Sequence, residues 1–204
     1  MSREMKDAAY KTLAQLGKAL GHPLRLELMD LLAQRPHSVE ALASATGRSM
    51  ASTSQHLQLL ASARLVDRAR DGVRVIYRLP PAAATLLVSL EAAGNAQSAE
   101  LRAVRTDWLA RHPDVVEISA EELEARRGEV FLIDVRPAEE FAHGHLDGAV
   151  SVPLDTLDAA LSTLSGDQEV IAYCRGPWCS WADEAVVRLH AAGFRARRFE
   201  GRPF

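Results

Sequence analysis

The chain has 204 residues, 48% of them hydrophobic and 25% charged, and a formal net charge of −3. That composition suits packed globular domains and excludes wholesale disorder. No apolar run approaches the ~18 residues of a membrane span, and the start MSREMKDAAYK carries both charge signs and no apolar signal core, so a cytoplasmic location with no membrane partner is expected. The charge is unevenly placed: residues 1–80 carry +5 and residues 81–204 carry −8. A basic half joined to an acidic half suggests that only the first meets a polyanion. The two cysteines, Cys174 and Cys179, stand five residues apart. In a reducing compartment such a pair points to reactivity rather than to a structural staple.

In chain order, apolar residues recur at helical spacing from Ala8 to Leu20. Gly21-His22-Pro23 breaks the run, with Pro23 set to open the amphipathic segment LRLELMDLLA (24–33). Pro36 ends that helix. Ser38 then caps a third helix, Gly47 stops it, and Ser49 caps a fourth, MASTSQHLQLLASA. Two strand-like stretches follow, RLVDRAR (64–70) and VRVIYRL (73–79), joined by Asp71-Gly72. Short helices followed by a basic hairpin predict a mainly α winged helix-turn-helix domain over 1–80.

The segments GHPLRLELMDLLA and ALASATGRSMASTSQHLQLLASARLVDRARDGVRVIYRL resemble the ArsR/SmtB family of bacterial repressors, over roughly residues 9–80. The resemblance implies a homodimer on a double-stranded DNA operator, with the helix 49–63 of each subunit in the major groove. Ser49, Ser52, Ser54 and Gln55 are then the expected readers of bases or phosphates, and Arg48, Arg70 and Arg74 hold phosphates from the turn and the wing. Many members of this family bind metal through a cysteine pair in the third helix. The matching positions here are Ser38 and Glu40, which removes a soft-metal site. Glu91, Glu100, Asp107 and His112 lack ligand spacing and read as a solvated helix face. No metal and no cofactor are expected.

Residues 81–112 start at Pro80-Pro81 and read as helical, with Gly94-Asn95 as an interruption, so one broken helix and two helices are both open. The resemblance makes this stretch a dimerisation or linker segment; the alternative is that it packs on its own domain. His112-Pro113 marks the boundary.

From Val115 strands and helices alternate, which predicts an α/β domain with a parallel sheet over 113–204. VVEIS (115–119), VFLIDV (130–135), EVIAYC (169–174) and RARRFE (195–200) are the strands. AEELEARR, PAEEFAHG, LDTLDAALSTL (154–164) and SWADEAVVRLHAAG (180–193) are the helices. Cys174 falls at the C-terminal end of a strand, where such sheets place their ligands. The loop CRGPWCS (174–180) runs into a helix N-terminus. Its backbone N–H groups and Arg175 are expected to favour the Cys174 thiolate.

YCRGPWCS, with IDVRPAEEFAHGHLDGAVSVPL (133–154), resembles the rhodanese family of sulfurtransferases over roughly 115–200. The resemblance implies that Cys174 accepts sulfane sulfur and passes it on by thiolate attack on divalent sulfur. It makes Gly176, Pro177, Trp178 and Ser180 the anion-holding loop, and Asp134 and Arg136 supports of the domain near it. His143 and His145 are expected to order a turn. Related phosphatases have a loop one residue longer, so the length fits sulfur. The arginine usual before the closing Ser or Thr is replaced by Cys179. A positive charge useful for an anionic donor is lost, and a thiol able to attack a Cys174 persulfide is gained.

Together these readings predict a dimeric repressor whose rhodanese-like domain senses or transfers reactive sulfur, its partners being operator DNA and a sulfane-sulfur donor or oxidant. The alternative is a thiosulfate-type sulfurtransferase with an autoregulatory DNA-binding domain.

Overall fold

The computed structural model describes residues 2–164 and 168–203, which form two compact units, Met1–Gly94 and Asn95–Phe204. The first contains α1 (Arg3–Leu20), α2 (Pro23–Gln34), β1 (His37–Ser38), α3 (Val39–Thr46), α4 (Met50–Ser62), β2 (Asp67–Asp71), β3 (Arg74–Arg78) and most of α5 (Pro81–Gln97). In α2 the apolar residues Leu24, Leu28, Leu31 and Leu32 share one face and are buried with Leu42, Leu57, Leu60 and Leu87. The helix starts follow local chemistry. Pro23 occupies the first turn of α2, Ser38 Oγ accepts the Ala41 N–H at 3.3 Å, and Ser49 Oγ accepts the Ser52 N–H at 3.2 Å. Gly47 closes α3 with φ +63°, a left-handed conformation that glycine adopts without strain.

The wing is a three-stranded antiparallel sheet in the order β1-β3-β2. The first strand of the hairpin, β2, begins at Asp67 rather than Arg64. Arg64 has φ +58°, the Leu65 N–H bonds to the Leu60 carbonyl at 2.9 Å, and Leu65 and Val66 turn into the core. Asp71 pairs with Arg74, so Gly72-Val73 forms the turn. The two-residue β1 is too short to leave a pattern in the sequence. Gly94 lies inside α5, its cost of about 1 kcal/mol tolerated; the helix breaks instead at Ser98, whose Oγ caps the following helix through the Leu101 N–H at 3.1 Å.

The second unit contains α6 (Ala99–Ala110), β4 (Glu117–Ile118), α7 (Ala120–Ala125), β5 (Val130–Asp134), α8 (Ala138–His143), β6 (Val150–Ser151), α9 (Leu157–Ala160), β7 (Glu169–Tyr173), α10 (Trp181–Ala191) and β8 (Ala196–Phe199). The sheet is parallel throughout, in the order β4-β8-β7-β5-β6. Alternate residues of β7 feed two cores: Val170 and Ala172 pack with α10, and Ile171 and Tyr173 pack with Leu123 of α7. The helix expected over 154–164 is reduced to α9 and a 3₁₀ turn, Leu161–Thr163. Leu154–Thr156 form a turn, and the Leu154 N–H bonds to the Val135 carbonyl at 3.1 Å, beyond the end of β5.

Four charged side chains fasten α6 to the sheet. Arg105 of α6 donates to Glu117 of β4 at 2.8 and 2.9 Å and to Asp183 of α10 at 2.9 and 3.0 Å. Arg198 of β8 reaches the same two carboxylates, Glu117 at 2.7 Å and Asp183 at 2.8 Å. Trp108 of α6 donates its indole N–H to Asp183 at 2.9 Å. The side chains of Arg198 and Asp183 are only 1% and 3% exposed. Two cations against two anions leave the cluster neutral, which makes burial tolerable; removing one member strands the rest. Arg198→Ala is expected to lower the stability of this unit by about 3–5 kcal/mol, measured as an earlier urea midpoint of the far-UV circular dichroism transition assigned to it.

Candidate functional site

The end of β7 delivers Cys174 into the loop that leads to α10. Cys174 is 2% exposed. Its Sγ–H donates to the Cys179 carbonyl at 3.2 Å. Both thiols are free. The loop is tight: the Cys179 N–H closes a turn onto the Gly176 carbonyl at 3.2 Å. Gly176 has φ +145°, and a Cβ there would come within 3.0–3.1 Å of the Arg202 side chain, so only glycine fits. The loop carbonyls face arginines, Gly176 accepting from Arg198 at 2.8 Å and Arg175 accepting from Arg202 at 3.2 Å. The backbone of Arg175 and Trp181 hydrogen-bonds Cys179, while that of Ala182 serves Cys174.

The surroundings act on the two thiols in opposite directions. Burial pushes Cys174 well above the ordinary thiol range, and its role as donor to Cys179 adds to that; the Ala182 backbone and the charge of Arg198 oppose it. Cys179 is lowered to about 7, first by the hydrogen bond it accepts from Cys174, then by the backbone of Arg175 and Trp181, against the effect of burial. Arg175 does not supply the free positive charge expected for Cys174. Its guanidinium pairs with the buried Glu140 of α8 at 2.6 Å and lies over the Trp181 ring, 4.4 Å from the centroid.

Asp134 and Arg136 form a buried ion pair at 2.6 Å behind the loop. Arg136 also donates to the Gly144 carbonyl at 2.7 Å and lies 5.7 Å from the centre of the Tyr173 ring. Burial holds the Tyr173 hydroxyl far above its ordinary pKa, and that hydroxyl accepts the Leu146 N–H at 3.1 Å. The pair thus ties the turn after α8 to the strand that carries Cys174. His145 stacks on Phe141, ring centroids 3.8 Å apart, and His143 is exposed.

Trp178 and Ser180 are exposed and Pro177 half-buried. With Cys179 they line a cavity of about 280 Å³ whose other wall is α6, through Val104, Arg105, Trp108 and Arg111. A larger cavity, about 570 Å³ and bounded by Pro137, Pro153 and Arg188, has no cysteine in its lining. Sequence reasoning missed Glu140, Asp183, Arg198, Arg202 and the α6 wall. Glu140 and Asp183 look like ordinary first-turn acids, and Arg198 sits in a run of alternating arginines with no mark of burial.

In the first unit Arg48, Ser49, Gln55, Arg70 and Arg74 are exposed, and Ser52 and Ser54 half-buried. Ser49 already accepts the cap bond, and Ser54 accepts from Gln58 at 3.3 Å. Arg48 precedes α4, Gln55 lies in its second turn, and Arg70 and Arg74 are on the wing. The sequence pattern gave no hint of a neighbouring group, His22, Arg25 and His56, in which the two imidazoles stand 4.2 Å apart. Among the described residues, no group of three His, Cys, Asp or Glu side chains is placed to hold a metal ion, and no helix is long and apolar enough to cross a membrane.

A parallel sheet with a cysteine loop at its strand ends, preceded by a winged helix-turn-helix, defines a two-domain regulator. The family model described as "Rhodanese-like domain" matches residues 119–201, and that described as "Helix-turn-helix domain" matches 20–69. HTH-type transcriptional regulator Rv0324 of Mycobacterium tuberculosis is 38% identical over 200 residues, covering 97% of this chain and 88% of that protein. HTH-type transcriptional regulator YgaV of Escherichia coli is 34% identical over 83 residues, 40% of this chain and 84% of that one. Among solved structures, the homodimeric winged helix-turn-helix fragment of Mb0332 from Mycobacterium bovis, a possible ArsR-family regulator, is 36% identical. It covers 48% of this chain and 91% of that chain, with a TM-score of 0.45. The chain belongs to the HTH-type transcriptional regulators and carries a rhodanese-like domain.

The acidity of the pair is open to direct test. Iodoacetamide should alkylate Cys179 with a rate that rises through a midpoint near pH 7. In Cys179→Ser the remaining thiol should react slowly up to at least pH 8, as peptide mapping would show.

Proposed function

We propose that this regulator is a dimeric, cytoplasmic repressor whose DNA affinity is set by reactive sulfur at Cys174 and Cys179. The observation that carries the reading is the placement of both thiols in one tight loop, where the Cys174 Sγ–H donates to the Cys179 carbonyl. No cysteine precedes Cys174, so a thiol signal to the DNA-binding half has to enter here. The modified forms are a persulfide on the pair or a Cys174–Cys179 disulfide. Two features favour sensing over rapid turnover of an anionic donor such as thiosulfate: Cys179 replaces a cationic position, and Arg175 is neutralised by Glu140. Gly176, Pro177, Trp178 and Ser180 shape the loop, and Asp134 and Arg136 brace it.

DNA contact is assigned to Arg48, Ser49, Ser52, Ser54 and Gln55 around α4, with Arg70 and Arg74 on the wing. Dimerisation is supported by α1, which has no buried residue and exposes Met5, Tyr10 and Leu13.

Treatment with polysulfide should change affinity for DNA fragments selected from a random pool by at least about tenfold, or about 1.4 kcal/mol, measured by fluorescence anisotropy. Dithiothreitol should reverse the change, and Cys174→Ser and Cys179→Ser should each abolish it. An affinity that polysulfide leaves unchanged overturns the reading. Independently, Arg48→Ala and Arg74→Ala should each weaken binding to all sequences alike and reduce the slope of log affinity against log salt by about 1.

A further inference from the structure

In the first unit one guanidinium joins three helices. Arg25, in the first turn of α2, is 8% exposed. It donates to the Ala19 carbonyl and, at 3.0 Å, to the Lys18 carbonyl. Both lie in the last turn of α1, where carbonyls lack partners within the helix. The third contact of Arg25, at 3.4 Å, is Nδ1 of His56 on α4. Arginine only donates, so this contact needs a lone pair on Nδ1 and leaves the hydrogen of the neutral ring on Nε2. His22 is committed likewise. Its Nδ1 accepts the Leu24 N–H at 3.2 Å as the cap of α2, and its ring lies 4.2 Å from that of His56. The charged groups that act on His56 are thus His22 and Arg25, both basic. The helices packed against α4 also carry Lys18 at the end of α1, Glu27 and Asp30 on α2 and Glu40 on α3. Among the described residues, no carboxylate pairs with Arg25 or His56.

We propose that the Arg25–His56 contact is an acid-sensitive latch on the DNA-binding half: a proton taken up by His56 parts α4 from α2 and weakens the grip on DNA. The device needs neither cysteine and stands apart from the sulfur-sensing reading. A proton from solvent adds to His56 Nδ1 and consumes the lone pair that Arg25 uses. The Arg25 Nη1–H loses its acceptor, and two positive charges then face each other with no carboxylate to absorb them. Partial burial first, and then the charges of His22 and Arg25, hold His56 below the ordinary imidazole value of 6.5. The unfolded chain therefore takes the proton more readily than the folded one. Stability present above that value is lost as the pH falls through it towards the lower folded value. The element released is α4, the helix that carries Ser52, Ser54 and Gln55. Arg25 keeps its hold on the end of α1, so the change is confined to the contact with α4.

The test uses the full-length chain and DNA fragments selected from a random pool, with affinity read by fluorescence anisotropy at constant ionic strength between pH 7.5 and pH 5. The unsubstituted chain should bind at least about tenfold more weakly at the acid end. His56→Gln offers Arg25 an amide oxygen at any pH; it should match the unsubstituted chain at pH 7.5 and lose less than about threefold on acidification. His22→Asn keeps a capping acceptor but removes the neighbouring imidazole, so the midpoint of the loss should move to higher pH. Cys174→Ser should keep the whole response. Nitrogen NMR of the His56 ring in the unsubstituted chain should show the neutral Nε2–H form at pH 7.5 and the doubly protonated ring below the affinity midpoint. A loss as large in His56→Gln as in the unsubstituted chain overturns the latch, as does a His56 ring that stays neutral while affinity falls. So does binding that holds or tightens towards pH 5, which is what an added positive charge near phosphate would do without a latch.

Discussion

The second unit is organised around one buried carboxylate, Asp183. It sits in the first turn of α10, directly after the cysteine loop, and receives Arg105 and Trp108 from α6 and Arg198 from β8. A lone carboxylate at that depth would be strongly disfavoured; two guanidinium groups and an indole N–H make it tenable. Glu117 completes the balance, so the cluster is neutral and its members cannot be exchanged singly. Everything near the sulfur chemistry inherits its position from this point. Arg198 continues to the Gly176 carbonyl and fixes the loop from below, while Arg105 and Trp108 fix α6 as the wall above it.

The two cysteines divide labour by depth. Desolvation keeps the proton on Cys174, and that proton is the strongest influence lowering Cys179. Arg175 is committed to Glu140, and its charge still contributes to lowering Cys179. The acidic thiol is also the one at the cavity, so acidity and access coincide at Cys179.

Much of the architecture was legible in the sequence because it rests on local chemistry. Ser38, Ser49 and Gly47 begin and end helices by hydrogen bonds within three residues, and the apolar runs 130–135 and 169–174 are buried on both faces of a parallel sheet. The loop and its two thiols were legible for the same reason. What escaped depends on distance. Whether Arg105 faces water or Asp183 is decided 78 residues later; on a helix the two cases read alike. Spacing reports the helix N-terminus after Cys174 but not the burial of its thiol. The break of the linker at Ser98 rather than Gly94 shows a cap outweighing a weak helix former.

The sheet order has a temporal corollary. β4 is the first strand of its sheet in sequence, yet its neighbour is β8, the last, and Glu117 meets Arg198 across 81 positions. On the ribosome, then, β4 and the helix before it must wait, unpartnered, while β5, β6 and β7 can already associate. The cavity beside Cys179 is consequently completed late, and a nascent chain stalled before Arg198 carries both cysteines while α6 still lacks one of its two arginine-linked anchors.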